Sequence, residues 1–198
     1  MPFAGGVNCR ETAPFVTDGT NQTYDIDAGG AVAESYPTTR GGLTFGWDST
    51  TVGNLRDRNS GNDPRVAGTQ WSGTGGEKLR LDLGSAGLTG DVRIAVGDPG
   101  GGATNIGNKI YDNATLLATI PNASISSGEF VDATGVTRTS ASDWVTNNAP
   151  LNATFSSAIL FVSIEQAVGG MCHISFTETA GGGGAAAQNL LTLLGVGV

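Results

Sequence analysis

Charge is scarce in this sequence, and positive charge scarcer still. Of 198 residues 14% are charged; ten Lys and Arg stand against eighteen Asp and Glu, a formal net charge of −8. Only Lys78 and Lys109 are lysines. Such a chain repels a phosphate backbone, so nucleic acid is excluded as a partner. An acidic, lysine-poor surface aids solubility and says little about what is bound. Histidine occurs once, at His173, and cysteine twice, at Cys9 and Cys172, without a CxxC spacing. A zinc site is therefore not expected. A Ser-His-Asp triad would have to use His173, yet no GxSxG elbow exists; "MCHISF" reads as a strand whose histidine has a satisfied hydrogen bond. The cysteines read as two separate buried thiols, with a disulfide between the first and last strands as the other reading.

Long apolar runs are missing too. No window reaches the ~18 residues of a membrane span, and a membrane partner is not expected. The opening "MPFAGGVNCRETAPFV" has neither the basic nor the apolar region of a secretory signal. The expectation is synthesis in a cytoplasm and departure, if any, by another route. No helix-period segment of useful length precedes residue 185.

What is abundant is glycine, 32 residues, spread along the chain among Thr, Ser, Asn and Asp. Frequent turn-formers between short apolar runs predict an all-β domain. "LTFGWDS" places Leu43, Phe45 and Trp47 on one face at period two. "EKLRLDLGS" sends Leu79, Leu81 and Leu83 inward and Lys78, Arg80 and Asp82 outward. "GDVRIAVGDP" repeats this through Val92, Ile94 and Val96. "KIYDNATLLATIP" reads as a hairpin turning at Asp112-Asn113, and "AILFVSIEQ" and "MCHISFTET" as the closing strands. The run Ile159 to Val162 fits a strand buried on both faces. Roughly eight to ten strands at this spacing predict a jelly-roll β-sandwich. The expected organisation is an N-terminal arm over 1–22, the sandwich over 23–180, and a Gly-rich linker with an apolar tail over 181–198.

Within the sandwich "FGWDS" (45–49), "RDRN" (56–59) and "LRLDLGSAGLTGDVRIAVGDP" (79–99) follow one another in an order that resembles the malectin-like and galactose-binding-like jelly-roll modules. The resemblance covers 24–178 loosely and 43–99 with some specificity. It implies a jelly roll and a surface that binds carbohydrate; no cofactor is required, and a structural calcium is the one ion that such modules often hold. It does not carry over particular sugar contacts, which sit on variable loops.

Candidate residues follow. Trp71, Trp144 and Tyr111, with Tyr36 beside them, are the candidate sugar platforms; Trp47 alternates with Phe45 and Leu43 and reads as core. Asp57, Asn59, Asn62 and Asp63 have the oxygen-rich character calcium prefers, though their spacing is not an EF-hand loop and internal Arg–Asp bridging is the ordinary use of such residues. Among Asp48, Asp57, Asp63, Asp82, Asp98 and Glu77 no spacing singles out a pair for glycosidase chemistry, so no enzyme is expected. "GDPGGGATNIGNK" lacks a GK[ST] ending and a following helix, which excludes a phosphate loop.

The tail "TETAGGGGAAAQNLLTLLGVGV" ends in Leu190, Leu191, Leu193, Leu194, Val196 and Val198. Burying those side chains gains less than ordering the linker and tail costs. A neighbouring subunit supplying backbone pairing and an apolar wall would close the gap. The expectation drawn from this is a non-enzymatic structural protein of an assembled particle, a phage virion decoration or fibre-type protein. Its partners would be copies of itself or other subunits of the particle. The alternative is a calcium-stabilised carbohydrate-binding module at the cell surface or outside the cell, with surface glycans as partners.

Overall fold

The computed structural model describes residues 3–9, 22–26, 35–40, 42–48, 55–57, 63–66, 68–71, 74–98, 104–139, 148–166 and 169–179, with backbone alone at 22–26, 40, 55–57, 64, 71, 104–105 and 122–123. These residues form an all-β sandwich of two sheets. The strands are β1 (Ala4–Cys9), β2 (Gln22–Ile26), β3 (Thr38–Arg40), β4 (Leu43–Trp47), β5 (Leu55–Asp57), β6 (Gly68–Trp71), β7 (Glu77–Asp82) and β8 (Leu88–Val96). They continue with β9 (Thr104–Asp112), β10 (Thr115–Ile125), β11 (Glu129–Val131), β12 (Thr137–Thr139), β13 (Leu151–Phe155), β14 (Ile159–Ile164) and β15 (Gly170–Glu178). The strands number more than the eight to ten expected because several have three residues, too short to show a period.

One sheet has six strands in the order β10-β9-β14-β7-β4-β3; the other has nine, along β12-β11-β8-β15-β1-β2, with β13 against β8 and β5-β6 joined through β15. From β7 to β9, and again from β13 to β15, the chain changes sheet at every strand, the path of a double-sheet jelly roll. The closing strands β14 and β15 consequently lie in opposite sheets rather than side by side.

The core between the sheets is one continuous cluster. Phe45, Trp47, Leu79, Leu81, Ile110, Leu160 and Val162 come from the six-stranded sheet; Val7, Val92, Ile94, Ile174 and Phe176 come from the nine-stranded one. Each large side chain fully removed from water contributes about 1.5–3 kcal/mol. Tight closure needs glycine at Gly90, where a Cβ would fall 2.3 Å from the Thr177 carbonyl and 2.7 Å from the Phe176 ring.

One difference from the sequence reading stands out, and the reading of the cysteines as two separate buried thiols holds. Residues 4–9, expected within an irregular arm, form β1, paired to β15 on one side and β2 on the other. "AGGVNC" carries no alternating pattern; Gly5 and Gly6 are there because Cβ atoms would meet Leu43 at 2.9 Å and Ser175 at 2.7 Å. Cys9 and Cys172 are both buried and form no disulfide. A register shift between Met171 and His173 on β15 separates them: Cys9 belongs to the main core, whereas Cys172 joins Val66, Ala95 and Phe130.

Buried carboxylates tie down the loops. Asp132 accepts hydrogen bonds from Thr134 N at 2.9 Å, Val136 N at 3.1 Å and Arg138 Nε at 2.7 Å. Asp112 accepts from the backbone N–H of Ser156 at 2.7 Å and of Ser157 at 3.0 Å, and from both hydroxyls. Burial pushes both carboxyls up, but the donors around them prevail and hold both below the usual carboxylate range.

Candidate functional site

Alternation along three adjacent strands builds a surface on the outer face of the six-stranded sheet. With Leu79 and Leu81 of β7 in the core, Lys78, Arg80 and Asp82 face out. β14 turns Phe161 and Ser163 the same way, and β9 turns Lys109 and Tyr111. Register aligns them in rows: Tyr111 opposite Phe161 opposite Arg80, and Lys109 opposite Ser163 opposite Lys78.

The first row is extended by a residue that is missing a side chain. Gly46 of β4 lies opposite Arg80. It has φ 144°, and a Cβ there would fall 2.6 Å from the Tyr36 nitrogen. Its bareness lets residues 35–37 lie against β4, where Tyr36 N donates to the Trp47 carbonyl at 2.9 Å. The Tyr36 ring thereby covers Arg80, whose guanidinium carbon is 4.0 Å from the ring centroid. Asp82 locks the pair: Tyr36 Oη donates to its Oδ2 at 3.0 Å, and Arg80 Nε to its Oδ1 at 2.7 Å. Burial, then the Asp82 hydrogen bond and charge, raise the Tyr36 phenol above its ordinary value, so it stays a donor.

Lys78 bridges the two rows. Its Nζ is 4.7 Å from the Tyr111 centroid and 5.8 Å from that of Phe161, and Arg80 approaches Phe161 at 5.8 Å from its own side. Phe161 is therefore 7% exposed although it faces outward. The basic stems cover it while their heads reach water.

Beside Lys109 opens a cleft of about 170 Å³, lined by Gly107, Asn108, Lys109, Thr119, Ile120, Glu165 and Gln166. Lys109 Nζ donates to Glu165 Oε2 at 2.8 Å, and the Ser163 hydroxyl donates to Oε1. Burial pushes Glu165 up, but the hydrogen bonds from Lys109 and Ser163 hold it below its ordinary value. The same contact raises Lys109, its hydrogen bond acting first and its charge second. Asn108 in the cleft wall is fully buried; its Nδ2 donates to the Ser163 carbonyl at 2.8 Å, while Oδ1 has no partner among the described residues. A buried acceptor left without a donor costs about 1–3 kcal/mol.

The carboxylates of this face, Asp82 and Glu165, each serve two donors. His173 lies buried in β15, its Nδ1 2.7 Å from Asn8 Oδ1. Burial first, then the charges of Arg65 and Arg93, push its imidazole well below the ordinary value, so it is neutral.

Of the residues singled out from sequence, Tyr111 and Tyr36 are brought onto this one face. Trp47 is core, 1% exposed. Trp71 belongs by its backbone to β6 of the other sheet, opposite Gly170; its side chain, Trp144 and the tail from Leu190 to Val198 lie outside the described residues. So do Asn59, Asn62 and the side chain of Asp57. Asp63 receives Arg65 Nε at 2.7 Å on one oxygen and Nη2 at 2.6 Å on the other. Asp63 is thus engaged by Arg65, the internal Arg–Asp bridging that is the ordinary use of such residues. Lys78, Arg80, Phe161, Lys109 and Glu165 were not singled out as site residues. The available signal was that both lysines fall in alternating strands, facing out.

No protein-family model matches the chain, and no curated protein does. Among solved structures it is similar to the Clostridium thermocellum N-terminal endo-1,4-β-D-xylanase 10B CBM22-1–GH10 modules complexed with xylohexaose, at 12% identity and TM-score 0.39, over 79% of this chain and 30% of that one. It is also similar to the family 32 carbohydrate-binding module of NanJ from C. perfringens in complex with galactose, at 14% identity and TM-score 0.33, over 69% of this chain and 93% of that one. The chain thus spans less than a third of the first structure's length.

Proposed function

We propose that the protein is a non-catalytic carbohydrate-binding module that takes a glycan across the outer face of its six-stranded sheet. The observation that carries this reading is the row Tyr36, Arg80, Phe161 and Tyr111, set beside a polar cleft. A pyranose presents apolar C–H faces and a rim of hydroxyls. The row offers aromatic and aliphatic surface for the first; Arg80, Lys109 and Glu165 offer donors and acceptors for the second. Because Asp82, Ser163 and register already fix these groups, little ordering remains to be done on binding.

The particle-building role expected from the tail rests on Leu190, Leu191, Leu193, Leu194, Val196 and Val198, outside the described residues, and no described feature supports it over glycan binding.

Calorimetric titration of a glycan panel that includes xylohexaose and galactose tests the proposal. At least one member should bind, and Tyr111→Ala should weaken it at least tenfold, about 1.4 kcal/mol, without lowering the melting temperature by more than a few degrees. A panel with no binder refutes the reading.

A further inference from the structure

The chain owns two lysines, and both stand on this one face, opposite the same residue, Ser163. Among the described residues this face carries three cations, and they are not equivalent. Lys109 is neutralised by Glu165 at 2.8 Å, and Arg80 by Asp82 at 2.7 Å. Lys78 has no carboxylate within salt-bridge distance among the described residues; its ammonium rests on the rings of Tyr111 and Phe161 instead. Arg80 uses only Nε for Asp82, so its Nη donors have no described partner. Two residues apart on β7, Lys78 and Arg80 flank Phe161 from either side at 5.8 Å each.

Resting on the glycan-binding reading, we infer that the ligand is an anionic glycan whose carboxylate or sulfate is held between Lys78 and Arg80 above Phe161. The reason is competition at Tyr111. A sugar stacking on that ring must move the Lys78 ammonium off it and forfeit a cation–π contact. A neutral sugar returns only hydroxyl acceptors. An acidic sugar returns a charge-assisted hydrogen bond, roughly twice as strong as a neutral one, and engages the idle Nη donors in the same move. Lys78 thereby acts as a selectivity gate on the platform. The carboxylates nearby do not cancel this: Asp82 is bonded to Arg80, Glu165, which also feels the charge of Lys78 at longer range, is bonded to Lys109, and Asp48, next to β4, is exposed to water. The net charge of −8 is felt weakly, because charges beyond about 8 Å are screened at physiological salt.

The test is calorimetric titration of the full chain with matched pairs. One pair is a galacturonate oligomer and its methyl ester, which lacks the charge; the other is dextran sulfate and dextran. At least one acidic form should bind tenfold or more tighter than its neutral partner, and which pair responds tells carboxylate from sulfate. In Lys78→Met, which keeps the aliphatic stem over Tyr111, that ratio should fall to within twofold of one; in Lys78→Arg it should persist. Circular dichroism of each variant checks the fold. Ratios near one for both pairs in the native chain, with neutral glycans binding, would overturn this inference and leave the broader reading standing. No binding by any glycan, neutral or acidic, would overturn both.

Discussion

Tyr36 and His173 show how single residues are put to opposite uses. Tyr36 is held over Arg80 and bonded to Asp82, so its ring is placed before any ligand arrives. His173 is held for stability, neutral and buried against Asn8. Its folded pKa lies below the unfolded value near 6.5. As pH falls through that value the unfolded chain takes up a proton that the folded chain refuses, so this contribution is present above about pH 6.5 and is lost progressively below it. The slope for one such proton is about 1.4 kcal/mol per pH unit. Urea unfolding between pH 6.5 and 5 should show it in the native chain, and His173→Gln should flatten it by that amount. An unchanged slope in the variant would assign the proton elsewhere.

Elements carry the site by register, and this also explains what could be read beforehand. β4, β7, β8 and the β9–β10 hairpin were legible because apolar and polar residues alternate cleanly in them, and because Asn113 turns the chain at φ 50°, a conformation asparagine tolerates. β1 was not legible, since its glycines reflect close approach of Leu43 and Ser175, contacts distant in sequence. The site was half legible. Tyr111 and Tyr36 could be named as aromatics, and Lys78 and Arg80 as outward residues, but the row they form exists only through the pairings Tyr111–Phe161 and Phe161–Arg80. Gly46 has the same kind of hidden role. In sequence it is only the outward position between Phe45 and Trp47; in the fold it is the seat of Tyr36. Gly46→Ala should lower unfolding free energy by about 1–3 kcal/mol from backbone strain, measured by urea unfolding, and should weaken the same glycan that Tyr111→Ala weakens. A variant with native stability and native affinity would show that Tyr36 sits elsewhere.

At the scale of the molecule, the two outer faces differ in what they present. The nine-stranded sheet presents Thr89, Asp91, Asn152 and Thr154, which bond one another, Thr89 to Thr154 at 2.8 Å and Asn152 to Asp91 at 3.0 Å. The six-stranded sheet presents aromatic rings, both lysines and the cleft. The acidic chain places both its lysines on this face, the Lys78 ammonium on rings and the Lys109 ammonium on Glu165, and the proposal is that this face takes ligands the rest of the surface would turn away. The most direct test of that claim is nuclear magnetic resonance of the isotope-labelled chain, titrated with xylohexaose and with a galacturonate oligomer. Amide shifts should gather at Tyr36, Lys78, Arg80, Lys109, Tyr111, Phe161 and Glu165, with Thr89, Asp91, Asn152 and Thr154 unmoved. Shifts gathered on the nine-stranded face, or none anywhere at millimolar sugar, would contradict the account.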